Sequence, residues 1–306
     1  MAYTTPSGSI SALYDHISNQ THVLIGGTTG SGKSVMVRGI LNRLLYRPFC
    51  DYPGSAEFIL IDPKGTELTE FKKSPHCIRY ASAASAGDML SALKLAEKIT
   101  TDRFYDMQHN PEKMDRNHYY IGSDVWVVID ELADLMVTQG AEVKPLLQRI
   151  GQIGRAARVH LLNCTQTPIV KVIPTEIKVN YTAVIALRTR SAQDSRNIIG
   201  AKGAETFPQY GKAMYQNPDE TENVTVDVPY VDEDETRRLV GWWRSQISEN
   251  ELKESDKLIE IPSERTESPN SALNDFGHKT YVDIKKCLKS LASALAIGYT
   301  IFSILL

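Results

Sequence analysis

Gly27-Thr28-Thr29-Gly30-Ser31-Gly32-Lys33-Ser34 is the stretch that decides the fold of this 306-residue chain. It fits G-x-x-x-x-G-K-[ST], the loop that cradles nucleotide phosphates. His22 to Ile25 before it reads as a short buried strand. Val35 to Leu45 after it reads as a helix, with Val37, Ile40, Leu41, Leu44 and Leu45 forming an apolar face. Glycines let the backbone take positive φ and approach phosphates closely. Successive N–H groups and the helix N-terminus then point at an anion. Lys33 reaches the β- and γ-phosphates in that geometry, and the Ser34 hydroxyl sits on Mg²⁺. All eight residues are therefore expected to bind ATP, with Mg²⁺ as the second cofactor.

Val125-Trp126-Val127-Val128-Ile129-Asp130-Glu131 is the second strong signal. A continuous apolar run ending in adjacent acids is the Walker B pattern. A buried strand would carry Asp130 to the magnesium side of the nucleotide. Glu131 would polarise the attacking water as general base.

Bulk composition bounds the rest. The chain is long enough for one large domain or two small ones, and 42% apolar residues suits a real core. The formal net charge of −3 gives no global sign of nucleic-acid binding. Residues 249–270 hold seven acids against three bases, a net of −4 that leaves the remainder near +1. Any DNA-binding surface must then be a local patch or a pore lining formed by assembly. Cys50, Cys77, Cys164 and Cys287 form no C-x-x-C pair and no zinc spacing, which fits a reducing cytoplasm. Met1 to Ile10 does not resemble a signal peptide.

Taken in order, residues 1–20 read as a lead-in with a short helix near Ile10 to His16. Further strands are expected at Glu57 to Asp62, His76 to Tyr80, Val159 to Thr165 and Tyr181 to Leu187. Lys212 to Tyr215 and Val224 to Val228 read as a terminal hairpin. Helices are expected at Ala86 to Gln108, Glu142 to Arg158, Ala192 to Ile199 and Glu233 to Ile247. Asp62-Pro63-Lys64-Gly65 falls at the carboxyl end of a strand, the edge where open α/β sheets bind ligands. Gln166, just past another strand, takes the position of the γ-phosphate sensor in additional-strand P-loop ATPases. Trp242 and Trp243 read as packing residues.

The chain divides into the lead-in, a motor domain at 21–248, an acidic linker at 249–280 and an apolar segment at 281–306. Ser290 to Leu306 contains no charged residue and is preceded by Lys285, Lys286 and Lys289. That run reads either as a short membrane anchor or as a helix packed on protein. Localisation is then cytoplasmic, with membrane association through the C-terminus under the first reading.

Five segments together resemble the motor domain of the FtsK/SpoIIIE DNA translocases: GTTGSGKS, LIDPKGTEL, VVIDELADLM, GRAARVHLLNCTQTP and DSRNIIGAKGAE. The similarity covers about residues 20–245. It implies a RecA-like P-loop NTPase fold with a central, mostly parallel sheet flanked by helices. It also implies a hexameric homo-oligomer, ATP hydrolysis between subunits, and double-stranded DNA driven through a pore. Members often carry an arginine within the strand after the Gln motif; here that position is Val184. Alternation places Arg188 on the same strand face, making it the candidate trans-acting finger, with Arg155 and Arg196 as rivals.

Larger members carry N-terminal membrane helices and a C-terminal DNA-orienting domain, neither of which matches this sequence. The expectation is a compact translocase for DNA transfer or segregation of a mobile element, plasmid or phage, with a relaxase or replication protein as partner. Two other readings use the same motor: a protein-export motor of the type seven secretion kind, and an adaptor that binds ATP without turnover. The Asp130-Glu131 pair argues against the adaptor, and DNA stimulation of hydrolysis separates the other two.

Overall fold

The computed structural model describes residues 11–48, 54–83, 88–166, 175–216 and 222–246, all within one unit of the chain. The apolar segment at 281–306 and the acidic linker lie outside the described residues, as do Cys50 and Cys287. Among the described residues, no helix is long and apolar enough to cross a membrane.

The elements run α1 (Ser11–Ser18), β1 (His22–Gly26), α2 (Lys33–Leu44), β2 (Ala56–Asp62), β3 (Cys77–Ser82), α3 (Asp88–His109), β4 (Asp124–Ile129) and α4 (Leu132–Ala157). They continue through β5 (Val159–Thr165), α5 (Thr175–Lys178), β6 (Ala183–Ala186), α6 (Ala192–Ile199), β7 (Lys212–Gln216), β8 (Val224–Asp227) and α7 (Glu233–Ser245). The strands form a single sheet in the order β3-β2-β4-β5-β1-β6-β7-β8. The first six are parallel to one another, and β7 and β8 add an antiparallel hairpin.

The continuous apolar runs in the sequence resolve into two buried faces, as a parallel sheet covered on both sides requires. Along β4, Val125, Val127 and Ile129 join one core, while Trp126 and Val128 join the other. The first core packs the sheet against α3, α4 and α6; the second packs it against α1, α2 and α7. Helix α1 lies so close to α2 that a Cβ at Gly39 would stand 2.2 Å from the Tyr14 ring. Glycine is what lets those two helices meet there.

Two elements differ from the sequence reading. Helix α4 starts at Leu132, ten residues before the expected start at Glu142, so the ADLM run is helical. Gly140 and Pro145 argue locally for a break, and the backbone does leave helical geometry at Gln139 (φ −137°). The helix resumes beyond it because Leu132, Leu135, Val143, Leu147 and Ile150 continue one buried stripe. Strand β6 is shorter than Tyr181 to Leu187 and ends at Ala186. Arg188 therefore lies beyond the strand, and the alternation linking it to Val184 does not reach it.

The tryptophans divide. Trp243 Nε1 donates to the Leu45 carbonyl (2.6 Å), and its ring meets His76 edge-on at 4.9 Å. Trp242 rests on Trp243 but stays 38% exposed.

Candidate nucleotide-binding and catalytic site

Register brings the site together. Parallel pairing sets Ile25 beside Cys164, Ile129 beside Asn163, and Gly26 beside Ala186. The carboxyl ends of β1, β4, β5 and β6 therefore share one sheet edge, the ligand edge of open α/β sheets. Gly27 to Ser34, Asp130-Glu131, Gln166 and Arg188 all emerge there, although up to 161 positions separate them in the chain.

The loop after β1 is held by its neighbours' backbones. Gly27 N–H donates to the Thr165 carbonyl (3.2 Å), and Thr28 N–H to that of Arg188 (2.9 Å). Gly30 and Gly32 adopt φ of 72° and 94°, a region that side chains disfavour. Gly27 has no room for a side chain either, since a Cβ would meet Ser31 Oγ at 2.6 Å.

The loop's polar groups are only partly satisfied. Lys33 is 7% exposed and donates to the Gly27 carbonyl at 3.2 Å. Burial lowers its pKa, against the pull of the Cys164, Glu131 and Asp130 groups. Ser31 Oγ is buried and has no hydrogen-bond partner among the described residues. Ser34 is half-buried in the first turn of α2.

Asp130 is 5% exposed, and among the described residues its carboxylate makes no hydrogen bond. Burial, then the charges of Glu67 and Asp62, push its pKa up to about 7 against Lys64 and Lys33. A buried carboxylate without a donor is costly unless a cation pairs with it. Asp130, the Ser34 hydroxyl and an open anion cradle therefore fit a magnesium–nucleotide complex.

Glu131 is 4% exposed and caps α4, accepting from Ala133 N–H at 3.4 Å. Both of its oxygens also accept from the Gln166 main-chain N–H, at 3.2 and 3.1 Å. The Gln166 side chain is tied in turn to the phosphate loop, because Thr29 Oγ1 donates to Gln166 Oε1 at 2.6 Å.

The Asp62 turn has a different role from that suggested by its position. Asp62 is fully buried, and its carboxylate accepts from the N–H groups of Gly65 (2.9 Å), Glu67 and Leu68 (both 3.0 Å). Its carboxylate folds its own loop and contributes charge, not a contact, to Asp130. Glu67 acts through the same field; it lies within the LIDPKGTEL segment, but no role at the site was expected for it. A cleft of about 190 Å³ opens beside the loop, lined by Gly27, Thr28, Gln166, Thr189, Arg190 and Asp194, among others. The last three were not expected from the sequence.

The three arginine candidates are scattered. Arg188 is exposed beside its own chain's loop, and Arg196 is exposed on α6. Arg155 is exposed near the end of α4, at the opposite sheet edge, with its guanidinium 5.9 Å from the Tyr119 ring centre.

The FtsK/SpoIIIE family model matches residues 7–124 and 112–170. The DNA translocase FtsK of Staphylococcus epidermidis is 32% identical over 301 residues, covering 92% of this chain and 37% of its own length. The chain thus spans under two-fifths of that curated relative. Among solved structures, the cytoplasmic domain of the Thermomonospora curvata type VII secretion ATPase EccC is similar at a TM-score of 0.60 and 23% identity, covering 73% of this chain and 28% of that one. The pCW3 conjugation coupling protein TcpA, in monomer form with ATPgS, matches at 0.60 and 23%, covering 74% and 66%. At these identities the likeness establishes the fold, which is that of a RecA-like P-loop NTPase.

Proposed function

This chain belongs to the FtsK/SpoIIIE family, and on that premise we propose that it is an ATP-hydrolysing motor that moves DNA. The observation that carries this reading is the Asp130 carboxylate: buried, unbonded and held near neutrality at the same edge as the phosphate loop. A carboxylate so placed, with Lys33 and Lys64 close enough to pull its pKa down, suits a nucleotide-bound cation.

The roles follow from position. Gly27, Thr28, Thr29, Gly30, Ser31 and Gly32 form the phosphate cradle. The Gly27, Thr28 and Ser31 N–H groups brace the loop on backbone carbonyls, so those of Thr29, Gly30 and Gly32 are left for phosphate oxygens, and Lys33 exchanges the Gly27 carbonyl for them. Ser34 and Asp130 hold the metal. Glu131 takes the proton of the attacking water, and Gln166 reads the terminal phosphate. Bound Mg²⁺·ATP supplies the transferable phosphoryl group and the cation that offsets its charge. Arg188 of a neighbouring subunit completes the site in a ring, a hexamer by family resemblance. Its exposed side chain, just past the end of β6, supports that role.

The cargo is DNA, in keeping with the name of the relative, and double-stranded by family resemblance. The setting we favour is transfer or segregation of a mobile element, with a relaxase or replication protein as partner and the C-terminal segment as a membrane contact. The solved relatives span a conjugation coupling protein and secretion ATPases, so the shared fold does not choose the cargo. Steady-state hydrolysis by the full chain, with and without double- and single-stranded DNA, tests both halves. Turnover should rise with double-stranded DNA and fall at least about 10³-fold in Lys33→Ala. Hydrolysis unchanged in Lys33→Ala would refute the site; a rate indifferent to DNA would favour protein export.

A further inference from the structure

Thr29 lies at the third position of the phosphate loop, where the motif accepts any residue. Its hydroxyl nevertheless makes a short, directed bond to a side chain 137 positions away, donating to Gln166 Oε1 at 2.6 Å. Gln166 in turn gives its main-chain N–H to both oxygens of Glu131. One chain of hydrogen bonds therefore runs from the phosphate loop, through the sensor, to the general base.

We propose that Thr29 is a positioning residue for hydrolysis, acting through Gln166 on the terminal phosphate and on Glu131. The inference rests on the proposed ATPase reading and deepens it. The argument is one of donor inventory. A primary amide has one accepting oxygen and one donating nitrogen on opposite sides of the group. A phosphate oxygen only accepts, so Gln166 reads it only with Nε2 turned towards it. A hydroxyl can donate or accept; here it donates to Oε1, which engages the amide oxygen on the phosphate loop and leaves Nε2 for a phosphate oxygen. Among the described residues nothing else bonds to the Gln166 side chain, so Nε2–H remains available. The same bond restrains the backbone of Gln166, whose N–H holds the Glu131 carboxylate. Small losses of alignment at a reacting centre cost large factors in rate.

Thr29→Val removes the donor and keeps the shape, whereas Thr29→Ser keeps the donor. ATP hydrolysis by the full chain, in single-turnover and steady-state modes, reads the effect. The expected result is that Thr29→Val lowers kcat about 10- to 100-fold with KM for ATP within about threefold. Thr29→Ser should recover most of that loss. In a Gln166→Ala background Thr29→Val should cost little more, because both act through one bond. The proposal is overturned if Thr29→Val turns over like wild type, if the defect lies in KM alone, or if it is equally large without the Gln166 side chain. Failure of the ATPase reading looks different: wild type itself would not hydrolyse ATP, or Lys33→Ala would hydrolyse it normally. Thermal melting of each variant separates misfolding from misalignment.

Discussion

Strand β4 begins with one buried aspartate and is followed directly by another, and the two behave oppositely. Asp124, at the start, is 8% exposed and surrounded by donors: Arg47 at 2.9 Å, His160 at 3.2 Å and Arg158 at 3.3 Å. Burial alone would raise its pKa, but the His160 hydrogen bond and the charges of His160, Arg47 and Arg158 outweigh burial and hold it at about 2. Asp130, six residues on, is buried as deeply yet accepts no hydrogen bond from the described residues, and its pKa stands at about 7. The difference is one of purpose. At the amino edge of the sheet the charges close on one another and fix the packing of α2, α4 and β5. At the carboxyl edge the same residue type is left uncompensated, as a site awaiting a ligand must be.

Four experiments break or sharpen that contrast. The largest effect is expected at the carboxyl edge. Glu131→Gln keeps the shape and the Gln166 N–H bond but removes the base, so kcat should fall about 10³-fold while nucleotide binding persists. Loss of binding along with turnover would recast Glu131 as a structural cap.

Asp124→Asn comes next and concerns stability. It strands Arg47 and Arg158 without their counter-charge, and denaturant unfolding at pH 7 should show a loss of about 3 kcal/mol. The sign with pH is fixed by the depressed pKa. The contribution of Asp124 is complete above the unfolded value near 3.8 and lost as pH falls through about 2. The deficit of the variant should therefore shrink in acid; a deficit constant down to pH 2 would deny the carboxylate its part.

Asp130→Asn should move the other way. With the folded pKa raised, ionised Asp130 penalises folding increasingly between pH 4 and about 7. Without nucleotide or metal, the variant should be more stable than wild type by about 4 kcal/mol at pH 8, and by progressively less towards pH 4. Equal stabilities at pH 8 would mean that Asp130 is solvated after all.

The parts of this site that were legible in the sequence were those written in consecutive residues. The loop motif is contiguous, and Val125 to Glu131 announces both a fully buried strand and the acids at its end. What escaped depends on register. That Thr29 meets Gln166 follows from β1 lying beside β5, and no local pattern encodes it. Asp62 looked like a ligand-edge residue because of where its strand ends; only the three N–H groups folding back on it reveal that its oxygens are occupied. The start of α4 was hidden because Gly140 and Pro145 outweigh a buried stripe when read locally. Arg188 was tied to Val184 by strand alternation, which the end of β6 at Ala186 cuts off.

The contrast between the two aspartates is tested most directly by the increment in Tm that Mg²⁺ adds to a non-hydrolysed ATP analogue, relative to the analogue with EDTA. Wild type and Asp124→Asn should both show a clear increment, the latter from a lower baseline, while Asp130→Asn should show almost none from a higher one. An increment in Asp130→Asn equal to that of wild type would contradict the account, because the cation would then be held without the carboxylate that the fold leaves bare.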